Sequence, residues 1–332
     1  MKHVGDIYKV ANMLTCKSSE IIDFSSNINS FHPDIECKLE QKMIVPYADA
    51  SYKKLTKTIA KRYTLKKSQI ALYNGASSAI VELIRELKSP HVTLYAPLYG
   101  EYESAAKNAK KKISKINRFK ALKSLPKKGS IVVFVNPSTP DGRFYSLKKL
   151  FKIWKKQKCT VILDESFLEF ESLRSERKRL KSFKKLYIIQ SFSKFYSCAG
   201  VRIGAIFSRK KNIKKLTQAR WNISSFDSEF LQKRLKESDF VATSKALHVR
   251  HKQELYTLLK ESGLFSDISP SRANYFLVKS NQAEKIYQAL LQDKILVRQC
   301  ANFDFLDENY LRFAVKESHA HSLLQKALHA LS

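Results

Sequence analysis

Two stretches decide the fold: Thr160-Val161-Ile162-Leu163-Asp164-Glu165, and further along Leu186-Tyr187-Ile188-Ile189-Gln190-Ser191-Phe192-Ser193-Lys194. Each is a short apolar run that ends abruptly in polar side chains, the texture of a strand buried on both faces whose tip reaches a polar site. Similar runs occur at Gln69–Tyr73, His91–Ala96, Ile131–Val135 and Val201–Phe207. Between them, segments near 52–63, 77–88, 100–111 and 146–157 carry apolar residues at three- and four-residue intervals, the helical period. The alternation from about residue 50 to 220 predicts an α/β fold, a sheet with helices on its faces.

Beyond residue 222 the texture changes. A long helical stretch to about 261 is followed by strand runs at Arg272–Lys279, Ile295–Arg298 and Tyr310–Val315, with helices near 282–292 and 318–331. A large domain is therefore expected over residues 46–235. Residues 236–332 form a smaller α+β domain, joined by 1–45 as an N-terminal arm. That arm is strand-like only around Ile21–Phe24 and is expected to lie against the C-terminal part or a neighbouring subunit.

Composition narrows the function classes. With 44% hydrophobic and 27% charged residues among 332, and only 8 Gly and 8 Pro, the chain is neither disordered nor linker-dominated. No apolar run approaches the ~18 residues of a membrane span, and the first residues lack the apolar stretch of a signal peptide, so a cytoplasmic location is expected. Five cysteines without C-x-x-C spacing suggest neither a disulfide framework nor a zinc ribbon. His248 and His251, one helical turn apart, have no nearby carboxylate or thiol in sequence, and no metal is expected. The formal charge of +31 would attract nucleic acid, anionic membrane or phosphorylated metabolites alike. Its lysines come in short clusters opposite apolar faces, and no RNP, zinc-finger or basic-zipper pattern accompanies them. They read as solvated helix faces, not as a nucleic-acid surface.

Three elements could carry chemistry. The turn Asn74-Gly75-Ala76-Ser77-Ser78 follows a strand and opens a helix, where free N–H groups and a hydroxyl suit a phosphate, although such a turn alone is often only a helix cap. Ser191, Ser193, Lys194 and Arg202 gather two hydroxyls, an ammonium and a guanidinium where the strand at 186–190 ends, the place α/β proteins put ligands. Asp164, at the tip of a buried strand, needs a cation or donors; taken alone it could equally be a structural ion pair or a cap. No dinucleotide or P-loop motif is present.

Together the three elements resemble the fold-type-I pyridoxal-phosphate enzymes, the aspartate-aminotransferase superfamily, in which an Asp at a strand end, a lysine and an Arg eight residues past it occur in this order. The closer resemblance is to the threonine-phosphate decarboxylases of cobalamin biosynthesis, then to the histidinol-phosphate aminotransferases. It is carried by Asp23-Phe24-Ser25-Ser26-Asn27-Ile28-Asn29, Tyr47-Ala48-Asp49, Asp164-Glu165-Ser166-Phe167, Ser193-Lys194-Phe195-Tyr196, Arg272-Ala273-Asn274-Tyr275, Val297-Arg298-Gln299-Cys300-Ala301-Asn302-Phe303 and Tyr310-Leu311-Arg312-Phe313-Ala314-Val315. The resemblance implies a mixed, mostly parallel sheet in an α/β/α sandwich, pyridoxal 5′-phosphate as cofactor, and a homodimer with shared sites.

Residue by residue, it implies that Lys194 binds the cofactor's aldehyde and moves protons, and that Asp164 holds the pyridine nitrogen protonated. Ala76, Ser77, Ser191, Ser193 and Arg202 would hold the phosphate and Tyr99 would stack on the ring. Tyr47 would reach the neighbouring subunit's cofactor phosphate. Arg312 would clamp the substrate carboxylate, and Arg298, Asn29 and His3 would receive the substrate's phosphate. Two positions depart from the family: Thr139 stands for an Asn, and Phe167 for a Tyr that aminotransferases carry, as it does in the decarboxylase branch, so the ring oxygen loses two donors. The expected activity is decarboxylation of threonine phosphate or serine phosphate. Histidinol-phosphate transamination is the alternative, and a basic binding protein on a degenerate enzyme fold the distant one.

Overall fold

The apolar runs between residues 70 and 208 join into one seven-stranded sheet in the computed structural model, which describes residues 6–331. In chain order the strands are β1 (Ile22–Asp23), β2 (Ile70–Asn74), β3 (His91–Ala96), β4 (Lys112–Asn117), β5 (Ile131–Val135), β6 (Thr160–Asp164), β7 (Leu186–Ser191) and β8 (Ile203–Ser208). They continue with β9 (Asp267–Ile268), β10 (Tyr275–Lys279), β11 (Ile295–Leu296), β12 (Arg298–Gln299) and β13 (Tyr310–Ala314). The large sheet runs β2-β8-β7-β6-β5-β3-β4, and every adjacent pair is parallel except those made by β8. The C-terminal ends of β2, β3, β5, β6 and β7 therefore share one edge with the start of β8.

Strand alternation sorts the side chains between two helical layers. Val161 and Leu163 of β6 pack with Leu55, Ile59, Leu150 and Trp154 on one side. Ile162 packs with Ile80, Leu83, Tyr102 and Ala106 on the other. Asp164, two residues past Ile162, continues on that second side, and Glu165 turns away. β4 departs from the sequence expectation, which placed no strand after the helix near 111. An edge strand pairs on one side only, so Ile113 and Ile116 suffice to seat it among lysines.

The C-terminal strands build a second, four-stranded antiparallel sheet in the order β12-β13-β10-β9. β1 pairs in parallel with β11, Ile22 opposite Ile295, and Phe24 is buried among Leu255, Phe313 and Leu324. The arm thus lies against the C-terminal part, one of the two placements expected for it. The helix Ser238–Glu261 spans both units, burying Phe240 in the large core and Leu255, Leu258 and Leu259 in the small one. No helix among the described residues is long and apolar enough to cross a membrane.

Candidate active site

A cavity of about 380 Å³ opens where the shared strand edge meets the smaller sheet. Among the described residues, five charged side chains line it: Lys194, Arg202, Arg298 and Arg312, against the single carboxylate of Asp164. Such an excess of positive charge around one cavity calls for an anionic occupant.

Asp164 sits at the end of β6 with its carboxylate fixed from two sides. Oδ2 accepts from the Tyr102 hydroxyl at 2.8 Å and Oδ1 from the Ser166 backbone N–H at 2.9 Å. Burial raises its pKa, while Ser166, Tyr102 and the Lys194 charge pull it back. Glu165, facing the other way, accepts from Ser175 Oγ at 2.5 Å and the Glu176 N–H at 2.8 Å, outside the cavity. Lys194 follows β7. Its amine is lowered to about 8, first by burial and then by the like charges of Arg312 and Arg202, with Asp164 opposing. A lysine so held supplies neutral amine near physiological pH.

Beside them the wall is formed by a helix start and two glycines. Helix Gly75–Glu86 starts directly at the end of β2 without a capping bond from the Asn74 side chain; the Gly75 N–H donates to the Arg202 carbonyl at 2.9 Å, and Ala76 and Ser77 of the first turn line the cavity. Gly75, at φ +73°, receives the Arg202 guanidinium so closely that a Cβ would lie 2.6 Å from Nη2. A Cβ on Gly204 would lie 2.4 Å from the Ala76 nitrogen. Only glycine allows this approach of helix start, β8 and arginine. Ser191 and Ser193 are buried on the same wall, and Tyr99 lines the cavity beside Ser77.

The opposite wall comes from the smaller unit. Arg298 of β12 and Arg312 of β13 stand directly opposite each other across the strand pair. Arg312 donates to Thr139 Oγ1 at 3.2 Å and to the Ser25 carbonyl at 3.0 Å, and lies over the Tyr275 ring, 4.9 Å from its centroid. Its Nε is buried with no hydrogen-bond partner among the described residues, and the same is true of Asn27 Oδ1. Ser25 and Ser26 are brought there by Asp23, whose Oδ1 accepts from both of their N–H groups. Phe167 packs edge-on against Tyr275, with ring centroids 5.1 Å apart.

Most residues singled out in the sequence meet here: Ala76, Ser77, Tyr99, Thr139, Asp164, Phe167, Ser191, Ser193, Lys194, Arg202, Arg298 and Arg312 all line the one cavity. Asn29 does not. Its side-chain amide donates to the Phe195 carbonyl and to Ser244 Oγ, both at 2.9 Å, and its N–H donates to the Lys194 carbonyl. It braces the lysine turn from behind, because a buried amide is held by whatever acceptors the core offers it. Tyr47 is 81% exposed and stacks on Trp221, away from the cavity of its own chain. His3 lies outside the described residues. Tyr102 and Ser166, which grip Asp164, were not singled out; a tyrosine on the helix after Tyr99 reads in sequence as ordinary core.

These features fit pyridoxal 5′-phosphate: a cradle that two Cβ atoms would fill, a depressed lysine, and a buried carboxylate on the same cavity. The aminotransferase class I and II profile matches residues 19–331. The adenosylcobalamin biosynthesis bifunctional protein CobDQ of Leptospira interrogans is 28% identical over 95% of this chain, which spans about two fifths (39%) of that protein's length. The threonine-phosphate decarboxylase of Salmonella typhimurium is 24% identical, over 98% of this chain and 95% of its own. The solved histidinol-phosphate aminotransferase from Clostridium acetobutylicum superposes with a TM-score of 0.81 at 27% identity, covering 94% of this chain and 99% of that one. The chain belongs to the aminotransferase class I and II family, with the fold-type-I architecture and pyridoxal 5′-phosphate as its cofactor.

Proposed function

We propose that this enzyme decarboxylates a phosphorylated amino acid, threonine phosphate or serine phosphate, to an aminoalkyl phosphate, the reaction that supplies the linker of the cobalamin nucleotide loop. The observation that carries the reading is the pairing of Arg298 with Arg312. Like charges directly opposite on an antiparallel pair repel, and a substrate bearing both a carboxylate and a phosphate relieves that repulsion. The Arg202 cradle is left to the cofactor's own phosphate.

In this reading the cofactor supplies the electron sink for the pair left on Cα when a bond there breaks. Asp164 would hold the proton of the cofactor's ring nitrogen, Lys194 would bind its aldehyde and carry the proton returned to Cα, and Tyr99 would line the ring's site. Ala76, Ser77, Ser191 and Ser193 hold the phosphate with Arg202. Arg312 takes the substrate carboxylate and Arg298 its phosphate. Arg312 and Arg298, by fixing the carboxylate and the phosphate, would set the orientation of the substrate's Cα and with it the bond that breaks. Tyr47, exposed beside Trp221, Ile44 and Val45, is available to a second copy of the chain, consistent with a homodimer whose tyrosine reaches the partner's cofactor phosphate.

A second reading, histidinol-phosphate transamination, is supported by the Clostridium structure's 27% identity, close to that of the cobalamin protein. Incubation of the holoenzyme with threonine phosphate, serine phosphate, or histidinol phosphate plus a 2-oxo acid separates them. Release of CO₂ with an aminoalkyl phosphate is expected, and amino transfer to the oxo acid without CO₂ would replace the decarboxylase reading.

A further inference from the structure

We propose that Arg118 and Asp141 form a positioning pair that sets the angle of Arg312. The inference rests on the reading that Arg312 takes the substrate carboxylate. Their side chains are 2% and 0% exposed, and Arg118 Nη2 donates to Asp141 Oδ1 at 2.6 Å. A buried ion pair gives weak net stability, because desolvation offsets the attraction. What this pair does is hold a loop. The same Nη2 donates to the Thr139 carbonyl at 2.9 Å, and Asp141 Oδ1 also accepts from Ser138 Oγ at 2.7 Å. Ser138 and Gly142 close the turn through a backbone bond of 2.7 Å.

Two contacts tie the loop to Arg312: Thr139 Oγ1 accepts from Arg312 Nη1, and the Tyr275 hydroxyl, whose ring lies under Arg312, donates to the Ser138 carbonyl. Arg118 belongs to the short helix after the edge strand β4 and does not line the cavity. A shift of the loop moves the Thr139 hydroxyl directly and pulls on the Tyr275 hydroxyl, so it disturbs two of the three groups that aim Arg312; the third, the Ser25 carbonyl, is on another segment. The pair therefore acts on the substrate through Thr139 and leaves the cofactor wall, built on β2, β6 and β7, unchanged.

The test compares holoenzyme variants Asp141→Asn, Arg118→Met with Asp141→Leu together, and Thr139→Val, the double change avoiding a lone buried charge should a single one fail to fold. Expected for each is a KM for threonine phosphate raised about tenfold, the size of one lost bond to a charged group, with cofactor affinity and absorption spectrum as in wild type. Combining Thr139→Val with the double change should add little, as for residues acting through one contact. Unchanged KM in a folded double variant, or effects that multiply fully, overturns the proposal. Arg312→Lys, run alongside, tells the two failures apart. If it leaves substrate binding intact, the carboxylate reading fails and the proposal with it; if it impairs binding while the pair's variants do not, the proposal alone fails.

Discussion

The two walls of the cavity are built differently. On the large-domain wall, Asp164, Lys194, Ser191 and the Ala76-Ser77 helix start project from the ends of buried strands in one sheet, and two glycines bring helix, strand and Arg202 into contact. The small-domain wall rests on β12, two residues long, on β13, and on the turn shaped by Asp23. The first wall holds a group that stays put and gains from rigidity. The second presents two arginines that are aimed by partners on other elements. Its geometry is the adjustable part, and under the proposed function substrate choice would belong there.

Breaking the first wall carries the largest effect. Lys194→Ala lowers turnover by roughly 10⁴-fold, the upper range for loss of a proton-transferring group, and abolishes fixation of the cofactor by borohydride. Mass spectrometry of the treated wild type finds the label on Lys194; a label elsewhere removes the assignment. Breaking the second wall does less. Arg298→Met raises the KM for the phosphorylated substrate roughly 10- to 100-fold, the loss of a charged hydrogen-bonding partner, and leaves the cofactor spectrum alone. A variant that loses cofactor instead would show that the walls are not separate.

A smaller effect tests the coupling within the first wall. The neutral amine of Lys194 is the form that reacts with an aldehyde, so cofactor uptake by the apoprotein should rise with pH to a half-maximum near 8 and then level off. An ordinary lysine would still be gaining toward 10.5. Because the Asp164 carboxylate raises the lysine and Arg312 lowers it, Asp164→Asn should move the midpoint down and Arg312→Met should move it up, each read by stopped-flow absorbance. The sign holds for stability as well. A lysine depressed in the fold leaves the unfolded chain binding more protons between pH 8 and 10.5, so this group makes the apoprotein more stable as pH rises through that window.

The difference between the walls also governs what could be read in the sequence. The α/β alternation and the residues at strand tips were legible because a strand buried on both faces is a continuous apolar run, and its first polar residue marks the tip. Asp164, Ser191 and Lys194 were found that way. The partners of those residues were not: Tyr102 grips Asp164 from a helix where any aromatic reads as core, and Arg118 reaches the Thr139 loop from a strand–helix junction that the lysines of β4 conceal. Asn29 shows the converse. The segment around it is distinctive in sequence, and its residues 25–27 do line the cavity, but the chain turns at Asp23 so that Asn29 passes behind the lysine. Sequence spacing fixes which residues lie on a segment, and only the turn decides which of them face the site.

The finest test of the contrast lies at Phe167, where the walls meet. Its ring belongs to the segment that carries Asp164, yet it packs edge-on against Tyr275 beneath Arg312. Thr139, the other altered position, is engaged with Arg312. If the cofactor's ring oxygen lacks donors here, Phe167→Tyr gives one back, with the open cavity beside the ring as room for the hydroxyl. A donor to an oxygen that carries negative charge favours the deprotonated cofactor–lysine pair, so the pH midpoint of the holoenzyme's visible spectrum should fall by about one unit, the size of one hydrogen bond. The KM for threonine phosphate should change little, since neither arginine is touched. An unmoved midpoint with an altered KM would place Phe167 on the substrate side, and the ring-oxygen account of this chain's two departures from its family would fail.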